Sequence, residues 1–512
     1  AKWKMETSEG EAERFAGWRA RLKKADGRWK DAPEEGAKVY KEFLEIYPLC
    51  FGYWIKYAEH VRKIQGDYMA VYKEALTWNK YCVDLWAKYL RVVGEEHKEM
   101  RQEATRECVS AVEELPDAGK IYTFVIDALA KDGVRGGVAE MFVQAFSKPI
   151  AGLNNIWGKF ERYTHDKKYL DLLTSEEKQE KIWSTVDEEK GLGMIIQKRK
   201  EKMEASKSVW LQRSKHETKM TAHGGGRPFF HVEPLTKEQL KAWDEYLNEY
   251  PSKVLFERCV ISCANYPQFW KKYATWLLHD QDDLQGSMKV LERACKQFCA
   301  KDPWIHLEYA QLLEVVGSIE ASREVYKSVH ILAPNLIQGV NEFAHFERRQ
   351  GNIQAAIEIF KKAQKTQKDP FIAMQLAKLY EVHVNDLHQA KEALTSVVEV
   401  EPSNKNLYLA LARIELLLQA QAGARASKRK HSNYDPVKDV IYKALLSTNI
   451  SPGDKHHILL VVCDLAHELS DSISSVRHWG HLLELFDSRG LPVLLDHIVD
   501  FGCPDGGPAR KK

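Results

Sequence analysis

Apolar residues recur along the second half of the chain at steps of three and four, and each run follows a short polar turn. After the turn Gly351-Asn352, the apolar positions are Ile353, Ala356, Ile357, Phe360 and Ala363. An α-helix has 3.6 residues per turn, so this spacing places them on one helix face. The pattern predicts amphipathic helices that are separated by tight turns.

The turn and the helix that follows it return at a nearly constant interval. Asp282, Gly317, Gly351 and Asn385 occupy the same place in four successive turns. A self-similar period of roughly 34 residues is typical of helix-turn-helix repeats that stack into solenoids. The sequence therefore predicts an all-α solenoid. The large apolar residue nine positions after each turn recurs as Leu291, Tyr326, Phe360 and Leu394.

A helix with two aromatic residues three positions apart recurs in both halves of the chain. Because these aromatics follow the repeat and stand beside Ala and Leu at core spacing, we expect them to pack between helices. Stacking of nucleic-acid bases is the alternative role for exposed aromatics. The pairs are Trp54 with Tyr57, Trp86 with Tyr89, Trp157 with Phe160, Trp270 with Tyr273, and Phe343 with Phe346.

The repeat pattern breaks in the middle of the chain, which predicts two arrays. Residues 175–220 contain 11 Lys/Arg and 9 Asp/Glu. This near balance favours a solvated, ion-paired linker helix over a nucleic-acid-binding arm. We expect an interruption at Gly191-Leu192-Gly193 and a hinge at His223 to Pro228. The predicted domains are an N-terminal repeat domain at 1–165, a charged helical linker and hinge at 166–235, and a C-terminal repeat domain at 236–505.

A second break, Gln419 to Asn433, lacks apolar periodicity and predicts an exposed loop. It contains the basic tract Lys428, Arg429 and Lys430. Such a tract is either a solvated loop or a signal for nuclear import or phosphate contact, and the sequence leaves both readings open. Helical spacing then resumes, with Pro452 at the start of one further helix.

Composition narrows the class of protein. The chain has 512 residues and a formal charge of +2, so no whole-molecule basic field attracts nucleic acid, and any RNA contact has to be local. The apolar run Ile458 to Cys463 is far shorter than a membrane span, and the N-terminus lacks a signal-peptide pattern, so we expect a soluble, non-secreted protein. Nine cysteines without tight spacing indicate free thiols in a reducing compartment.

No sequence motif for catalysis is present. Phosphate-binding GxxxxGK[ST], zinc-binding HExxH and the GxSxG nucleophile motif are all missing, so we expect no enzyme, cofactor or metal. Cys259 with Cys263 and Cys295 with Cys299 each lie four apart. Together they resemble a four-thiolate metal site, but helical spacing favours packing as small buried residues.

Three segments carry a resemblance to a known family. Paired helices with Trp-x-x-Tyr in the first helix resemble the HAT (half-a-TPR) repeats of RNA-processing scaffolds. The segments Tyr47 to Ala58 (YPLCFGYWIKYA), Arg227 to Leu235 (RPFFHVEPL) and Val254 to Cys263 (VLFERCVISC) are similar to the pre-mRNA-processing factor 39 family. The resemblance covers most of residues 30–420. One departure is the short interval from Trp243 to Trp270, where either the turn is shortened or residues of the family pattern are absent from this sequence.

The resemblance implies a function that composition and periodicity do not show. It implies a non-catalytic, nuclear scaffold of pre-mRNA splicing, associated with proteins of the U1 small nuclear ribonucleoprotein. It also implies two HAT domains, with dimerisation through the C-terminal one. The alternatives are a HAT scaffold of pre-mRNA 3′-end cleavage or ribosomal-RNA processing, and a direct RNA-binding protein.

The C-terminal segment is apolar beyond what the closing of a terminal repeat requires, because a capping repeat has a polar outer face. We therefore expect a homodimer interface in this segment. The alternative is that the same residues simply close the last repeat. The expected interface residues are Trp479, Leu482, Leu483, Phe486, Leu494 and Leu495.

Overall fold

The computed structural model describes residues 6–29, 32–165, 167–222, 230, 234–425, 436–469 and 473–502. Within these ranges the chain forms 24 α-helices and no strand, which confirms the predicted all-α fold. The chain divides at Val290 into two compact units. The predicted domain boundaries near residues 165 and 235 stay a prediction.

The first unit begins with short antiparallel helices and contains one long helix, α10. Its helices are α1 (Glu6–Gly27), α2 (Pro33–Ile46), α3 (Phe51–Lys63), α4 (Tyr68–Trp78), α5 (Val83–Glu96), α6 (Arg101–Val112), α7 (Gly119–Lys131), α8 (Arg135–Phe146), α9 (Leu153–Thr164), α10 (Glu188–Ala222), α11 (Lys237–Glu249), α12 (Lys253–Ser262), α13 (Pro267–His279) and most of α14 (Leu284–Arg293), inside which the division falls.

The second unit continues with helix pairs and ends in longer helices. Its helices are α15 (Pro303–Val315), α16 (Ile319–Leu332), α17 (Ile337–Arg349), α18 (Ile353–Gln367), α19 (Pro370–Leu379), α20 (Leu387–Val398), α21 (Lys405–Arg425), α22 (Pro436–Leu446), α23 (Pro452–Leu469) and α24 (Ile473–Gly502). Two short segments, Ala294–Phe298 and Tyr380–Val384, form π-helical turns.

Consecutive helices pack as hairpins, such as α15 with α16, α17 with α18, and α19 with α20. The first helices of successive hairpins also contact each other, as α3, α5, α7 and α9 do in one unit and α15, α17, α19 and α21 do in the other. Each hairpin thus buries its apolar face against its neighbours, as expected of a solenoid. One core cluster runs without a break from Leu22 to Met203. The predicted repeat architecture is confirmed.

The repeating turns share one backbone conformation. Gly317 and Gly351 both have φ of 82°, and the equivalent Asn385 and Asp282 have φ of 57° and 52°. These positive values lie in the left-handed region, which Gly, Asn and Asp adopt at the lowest cost. The polar turn residues of the repeat are therefore selected by backbone geometry.

The long helix α10 differs from the prediction. The expected interruption at Gly191-Leu192-Gly193 is wrong, because the helix continues through both glycines. A Cβ atom added to Gly191 would lie 2.9 Å from the ring of Tyr169. The glycine therefore lets this ring pack closely on the helix, which offsets a helix-propensity cost of about 1 kcal/mol. The predicted hinge from His223 to Pro228 lies outside the described residues.

The second predicted break is also shorter than expected. Helix α21 continues to Arg425, so the prediction of a loop is wrong for residues 419–425. Alanine is the best helix former, and the alanines at positions 420, 422 and 424 supply propensity where apolar periodicity is missing. Residues 426–435, and with them Lys428, Arg429 and Lys430, lie outside the described residues.

Candidate interaction surface

Ion pairs connect the first helices of successive hairpins in the first unit. In each pair, an acidic residue on one first helix meets a basic residue on the next first helix. We call this series the ion-pair ladder. Its pairs are Asp26 with Lys56, Glu59 with Lys88, Asp84 with Lys120, Asp127 with Lys159, and Asp244 with Lys272, at N–O distances of 3.4, 2.7, 3.4, 2.5 and 2.5 Å.

The ladder has the same polarity in the second unit. Arg349 on α17 donates to both carboxylate oxygens of Glu314 on α15, each at 2.7 Å. Arg413 on α21 donates through two nitrogens to a single carboxylate oxygen of Glu381, in the π-helical turn after α19, at 3.0 Å. The bidentate pair of Arg349 with Glu314 fixes orientation as well as distance, and both pairs connect neighbouring hairpins.

The ladder affects which ligands this face of the repeats can bind. Its lysines and arginines already have carboxylate partners, so the face offers little net positive charge to a phosphate backbone. Each exposed pair contributes only about 0–1 kcal/mol to stability. The ladder was not predicted from the sequence, although acidic and basic residues about one repeat apart on the first helices are a visible signal. The acidic and basic side chains of the ladder therefore neutralise one another on this surface.

Two arginines are buried where α10 packs on its surroundings, although the sequence predicts a solvated linker helix. Arg199 of α10 donates to one Glu177 carboxylate oxygen at 2.7 Å and also pairs with the other oxygen. Burial alone would raise the pKa of Glu177, but the Arg199 hydrogen bonds and the Thr174 amide outweigh it and lower this pKa to about 2. One side of α10 is therefore packed through a buried ion pair.

The second buried arginine joins α12 to α10. The Arg258 guanidinium, 4% exposed, donates to both oxygens of Glu217 at 2.7 and 3.0 Å. Burial acts to raise the pKa of Glu217, yet the charge and hydrogen bonds of Arg258 hold it below the usual value. The negative charges of Glu217 and Asp117 outweigh the opposing effect of burial and raise the pKa of Arg258. This buried ion pair thus connects α10 to α12 within the first unit.

The predicted packing aromatics lie mainly inside the repeats. Trp54, Trp86 and Trp270 each donate an indole N–H to a backbone carbonyl six positions earlier, at 2.8, 2.7 and 2.8 Å. Each tryptophan therefore anchors the turn before its own helix, a role that the sequence does not reveal. Tyr57 and Trp157 are half-buried. The buried members are Trp54, Trp86, Tyr89, Phe160, Trp270, Tyr273, Phe343 and Phe346.

The cysteines singled out by spacing are buried. Burial raises the pKa of Cys295 to about 12 and the pKa of Cys259 well above its usual value, so both stay protonated thiols. In the part of the chain that the structure describes, no group of three or more His, Cys, Asp and Glu side chains is placed to hold a metal ion. Cys263 and Cys299 are buried as well.

The structure separates the expected interface residues into two groups. Trp479, Leu482 and Leu494 are fully buried in the chain's own C-terminal core and cannot contact a second copy. Leu483, Phe486 and Leu495 pack against this core and stay half-exposed. The chain bends inside α24, where Gly490 has φ of 79° and precedes Pro492, and this bend brings Leu494 back onto the core.

One shallow, open depression lies on the surface of the second unit. This depression, of about 400 Å³, lies along α20 alone, and its lining includes His388, Lys391, Glu392 and Thr395. Among the described helices, none combines the length and apolar composition needed to span a bilayer. A surface of this kind is suited to distributed contacts with other macromolecules.

Comparison with known proteins identifies the kind of helical repeat in this chain. Two family models match the sequence: PRP39 N-terminal HAT repeat over residues 3–162 and PRP39 C-terminal HAT repeat over residues 212–349. Together these matches span more than half of the chain. They cover repeats on both sides of the central break.

Related proteins carry a consistent name. Pre-mRNA-processing factor 39 of Xenopus laevis is 28% identical over 421 residues, which cover 74% of this chain and 65% of that protein. The Homo sapiens protein of the same name is 26% identical over 461 residues, which cover 81% of this chain and 68% of that protein. The chain thus spans about two thirds of the length of these relatives.

Cleavage stimulation factor proteins are more distantly similar. Cleavage stimulation factor subunit 77 of Arabidopsis thaliana is 21% identical over 361 residues, which cover 65% of this chain and 46% of that protein. A crystal structure of CSTF-77 aligns with 82% of this chain and 89% of its own, at 13% identity and a TM-score of 0.45.

Proposed function

Because the chain belongs to the PRP39 family of HAT-repeat proteins, we propose that it is a non-catalytic protein-interaction scaffold of pre-mRNA splicing. The observation that carries this proposal is the match of both PRP39 repeat models along a single all-helical repeat chain. Repeat arrays bind partners through extended surfaces, so function in such a protein resides in distributed contacts.

The chemistry of the surface supports a scaffold over an enzyme. Buried ionisable groups such as Glu217 and Arg258 pair with each other inside the fold. The ladder pairs on the first helices satisfy each other in the same way. A perturbed pKa that arises within an ion-pair network of this kind has a structural explanation and does not require a catalytic role.

We further propose that the partners are proteins of the U1 small nuclear ribonucleoprotein, bound in the nucleus. The neutralised charges of the ladder favour contacts with protein over RNA phosphate. The test is purification of the tagged full chain from nuclear extract, with and without ribonuclease, followed by quantitative mass spectrometry. Enrichment of U1 proteins that survives ribonuclease supports the proposal, and absence of spliceosomal proteins contradicts it.

We also propose a homodimer formed through the C-terminal helices. The supporting observation is that α23 and α24 carry half-exposed or exposed apolar residues beside their fully buried core. Because Trp479, Leu482 and Leu494 are buried in the chain's own core, only the outward apolar residues of these helices can form the interface. They are Leu460, Leu483, Phe486, Val493, Leu495 and Val499.

Sedimentation velocity of the full chain at micromolar concentration tests the dimer. Val493 and Val499 are 38% and 58% exposed, so changing both to Glu should separate the copies without disturbing the core. The matched control is Val315→Glu, since Val315 is 75% exposed and lies on α15, outside the proposed interface helices α23 and α24. A wild type that is already monomeric would contradict the proposal.

A second candidate function is a scaffold of pre-mRNA 3′-end cleavage. It is favoured by the 21% identity with cleavage stimulation factor subunit 77 over 65% of this chain. The same purification distinguishes the two functions, because enrichment of 3′-end cleavage factors without U1 proteins would favour this candidate.

A further inference from the structure

Side chains that follow α10 in the sequence pack back onto the early repeats of the first unit. The ring of Phe230 lies 6.1 Å from the ring of Tyr47, measured between ring centroids. Phe230 is half-buried against the core cluster that begins at Leu22, and Val254 of α12 packs against the same cluster. These contacts join residues that are far apart in the sequence but belong to one compact unit.

Arg258, one turn after Val254 on α12, acts on a further residue of the early repeats. That residue is Asp117, in the turn before α7. Burial raises the pKa of Asp117, and the positive charge of Arg258 acts in the opposite direction. Lys120 and Asp84 also act on this carboxylate, with opposite signs and smaller effects. Such effects require short distances between the charges, so α12 approaches the early repeats with an apolar and a charged side chain.

Tyr47 and Asp117 occupy equivalent places in the repeats, because each lies in the turn just before a first helix. Consecutive helices run antiparallel, so the first helices α3, α5 and α7 run in the same direction and pack side by side. The turns before them therefore lie along one edge. We call this the turn edge, and it consists of residues 47–50, 79–82 and 115–118. Phe230 and Arg258 approach the turn edge at two of its three turns.

The turn edge is largely buried, unlike the corresponding turns of the second unit. Tyr47, Leu49 and Leu115 are 4%, 7% and 1% exposed. In the second unit, Pro334 and Asn335 precede the first helix α17 and are exposed. Turns between elements ordinarily run over the surface of a protein, and the turn before α17 follows this rule. The difference is the one expected if side chains from elsewhere in the first unit cover its turns.

We infer that Phe230, Val254 and Arg258 form an intramolecular strap that covers the turn edge and couples α12 to the early repeats. The strap combines an aromatic, an aliphatic and a charged contact, so it supplies both buried area and orientation. Because the chain itself occupies this edge, a partner of the first unit has to bind another face or displace the strap. The inference goes beyond the proposed scaffold function and is tested without any partner.

Hydrogen–deuterium exchange of the full chain, followed by mass spectrometry, tests this coupling. Phe230→Ala removes the ring that meets Tyr47, so exchange in residues 47–50 should become roughly two- to tenfold faster. Exchange in α12 should accelerate in the same variant, because the strap side chains hold one edge together. Asp117→Asn removes the charge that faces Arg258 and should accelerate exchange in the same two segments.

Each variant has a matched control within the first unit. Leu211→Ala removes an apolar side chain of α10 that is 56% exposed and lies outside the strap. Asp84→Asn removes a carboxylate that is 50% exposed and pairs with Lys120 at 3.4 Å. Both controls should exchange like the wild type in residues 47–50 and in α12. Circular dichroism of each variant checks that the helices are intact.

Selective acceleration of both segments in both strap variants supports the inference, and three results would overturn it. The first is exchange in Phe230→Ala that is no faster than in Leu211→Ala. The second is equal acceleration throughout the first unit, including α5 and α6, which would mean that Phe230 contributes only to general stability. The third is acceleration in residues 47–50 without any in α12, which would show that the turn edge and α12 are not coupled.

Discussion

The buried pair of Glu217 and Arg258 offers a direct test of how the long helix α10 is held. The two hydrogen bonds from Arg258 to Glu217 measure 2.7 and 3.0 Å, and the side chains of Glu217 and Arg258 are 14% and 4% exposed. Removing one partner of a buried pair leaves an uncompensated charge and costs about 3–5 kcal/mol. Asp117 also acts on Arg258, so we expect Glu217→Ala to cost about 3 kcal/mol, the lower end of that range.

Two controls separate this effect from a general loss of charge. Lys219 and Glu245 form an exposed pair between α10 and α11, with side chains 58% and 42% exposed, so Lys219→Ala should cost only about 0.2–1 kcal/mol. The double change of Glu217 to Leu and Arg258 to Met removes both charges. It should cost less than Glu217→Ala, because neither member of the pair is left as an unpaired ion.

Hydrogen exchange of the amides in α10 and α12, together with urea unfolding, measures these differences. In Glu217→Ala, exchange in both helices should accelerate before that of α3 and α5, because the pair stabilises one region locally. If Glu217→Ala destabilises the chain no more than Lys219→Ala, the reasoning that this pair is buried and strong is wrong.

Three further predictions concern the core, pH and salt. Phe360 is fully buried, so Phe360→Ala should lower the free energy of unfolding in urea by about 3–5 kcal/mol. Trp304 is 53% exposed, so Trp304→Ala should change it by no more than about 0.5 kcal/mol. Equal losses would contradict the burial of the large apolar residue that recurs nine positions after each turn. The pKa of Glu177 in the folded chain, about 2, lies below its ordinary value of 4.5, so the stability that this carboxylate contributes is complete above pH 4.5 and is lost as pH falls toward 2. The thermal stability of Glu177→Gln should therefore depend less on pH than that of the wild type in this window. An unchanged slope would refute this. Arg349→Ala should cost about 1 kcal/mol or less at low salt, and the loss should shrink in 1 M NaCl; a loss independent of salt would contradict a role as an exposed ladder pair.

The local pattern of the chain was sufficient to predict the helices and the repeat. Steps of three and four gave the helix faces, and the turn residues at positions 282, 317, 351 and 385 gave the period. These features depend on interactions between near neighbours in the chain, which a sequence records directly. The structure adds the left-handed conformation of each turn, which explains why Gly, Asn and Asp occupy it.

Features that depend on long-range contacts were not predictable in the same way. The glycine at 191 indicated an interruption, but the ring of Tyr169, which precedes α10 in the chain, packs on it inside a continuous helix. The apolar residues near the C-terminus looked equally suited to an interface, yet the bend at Gly490 buries Leu494 and leaves Leu495 half-exposed. Which of two neighbouring residues is buried depends on the rotation of the helix against its partners.

The sequence by itself determined the class of fold, the hairpin period and the residue types of the core, since each follows from spacing along one helix. Only the tertiary structure decided which charges are paired between hairpins and which aromatics are exposed. Trp270 and Trp304 both lie in the first turns of a helix with Pro at its start, but one is 1% exposed and the other 53%. Successive helix positions are about 100° apart around the axis, so a shift of two positions moves a side chain from the core to solvent.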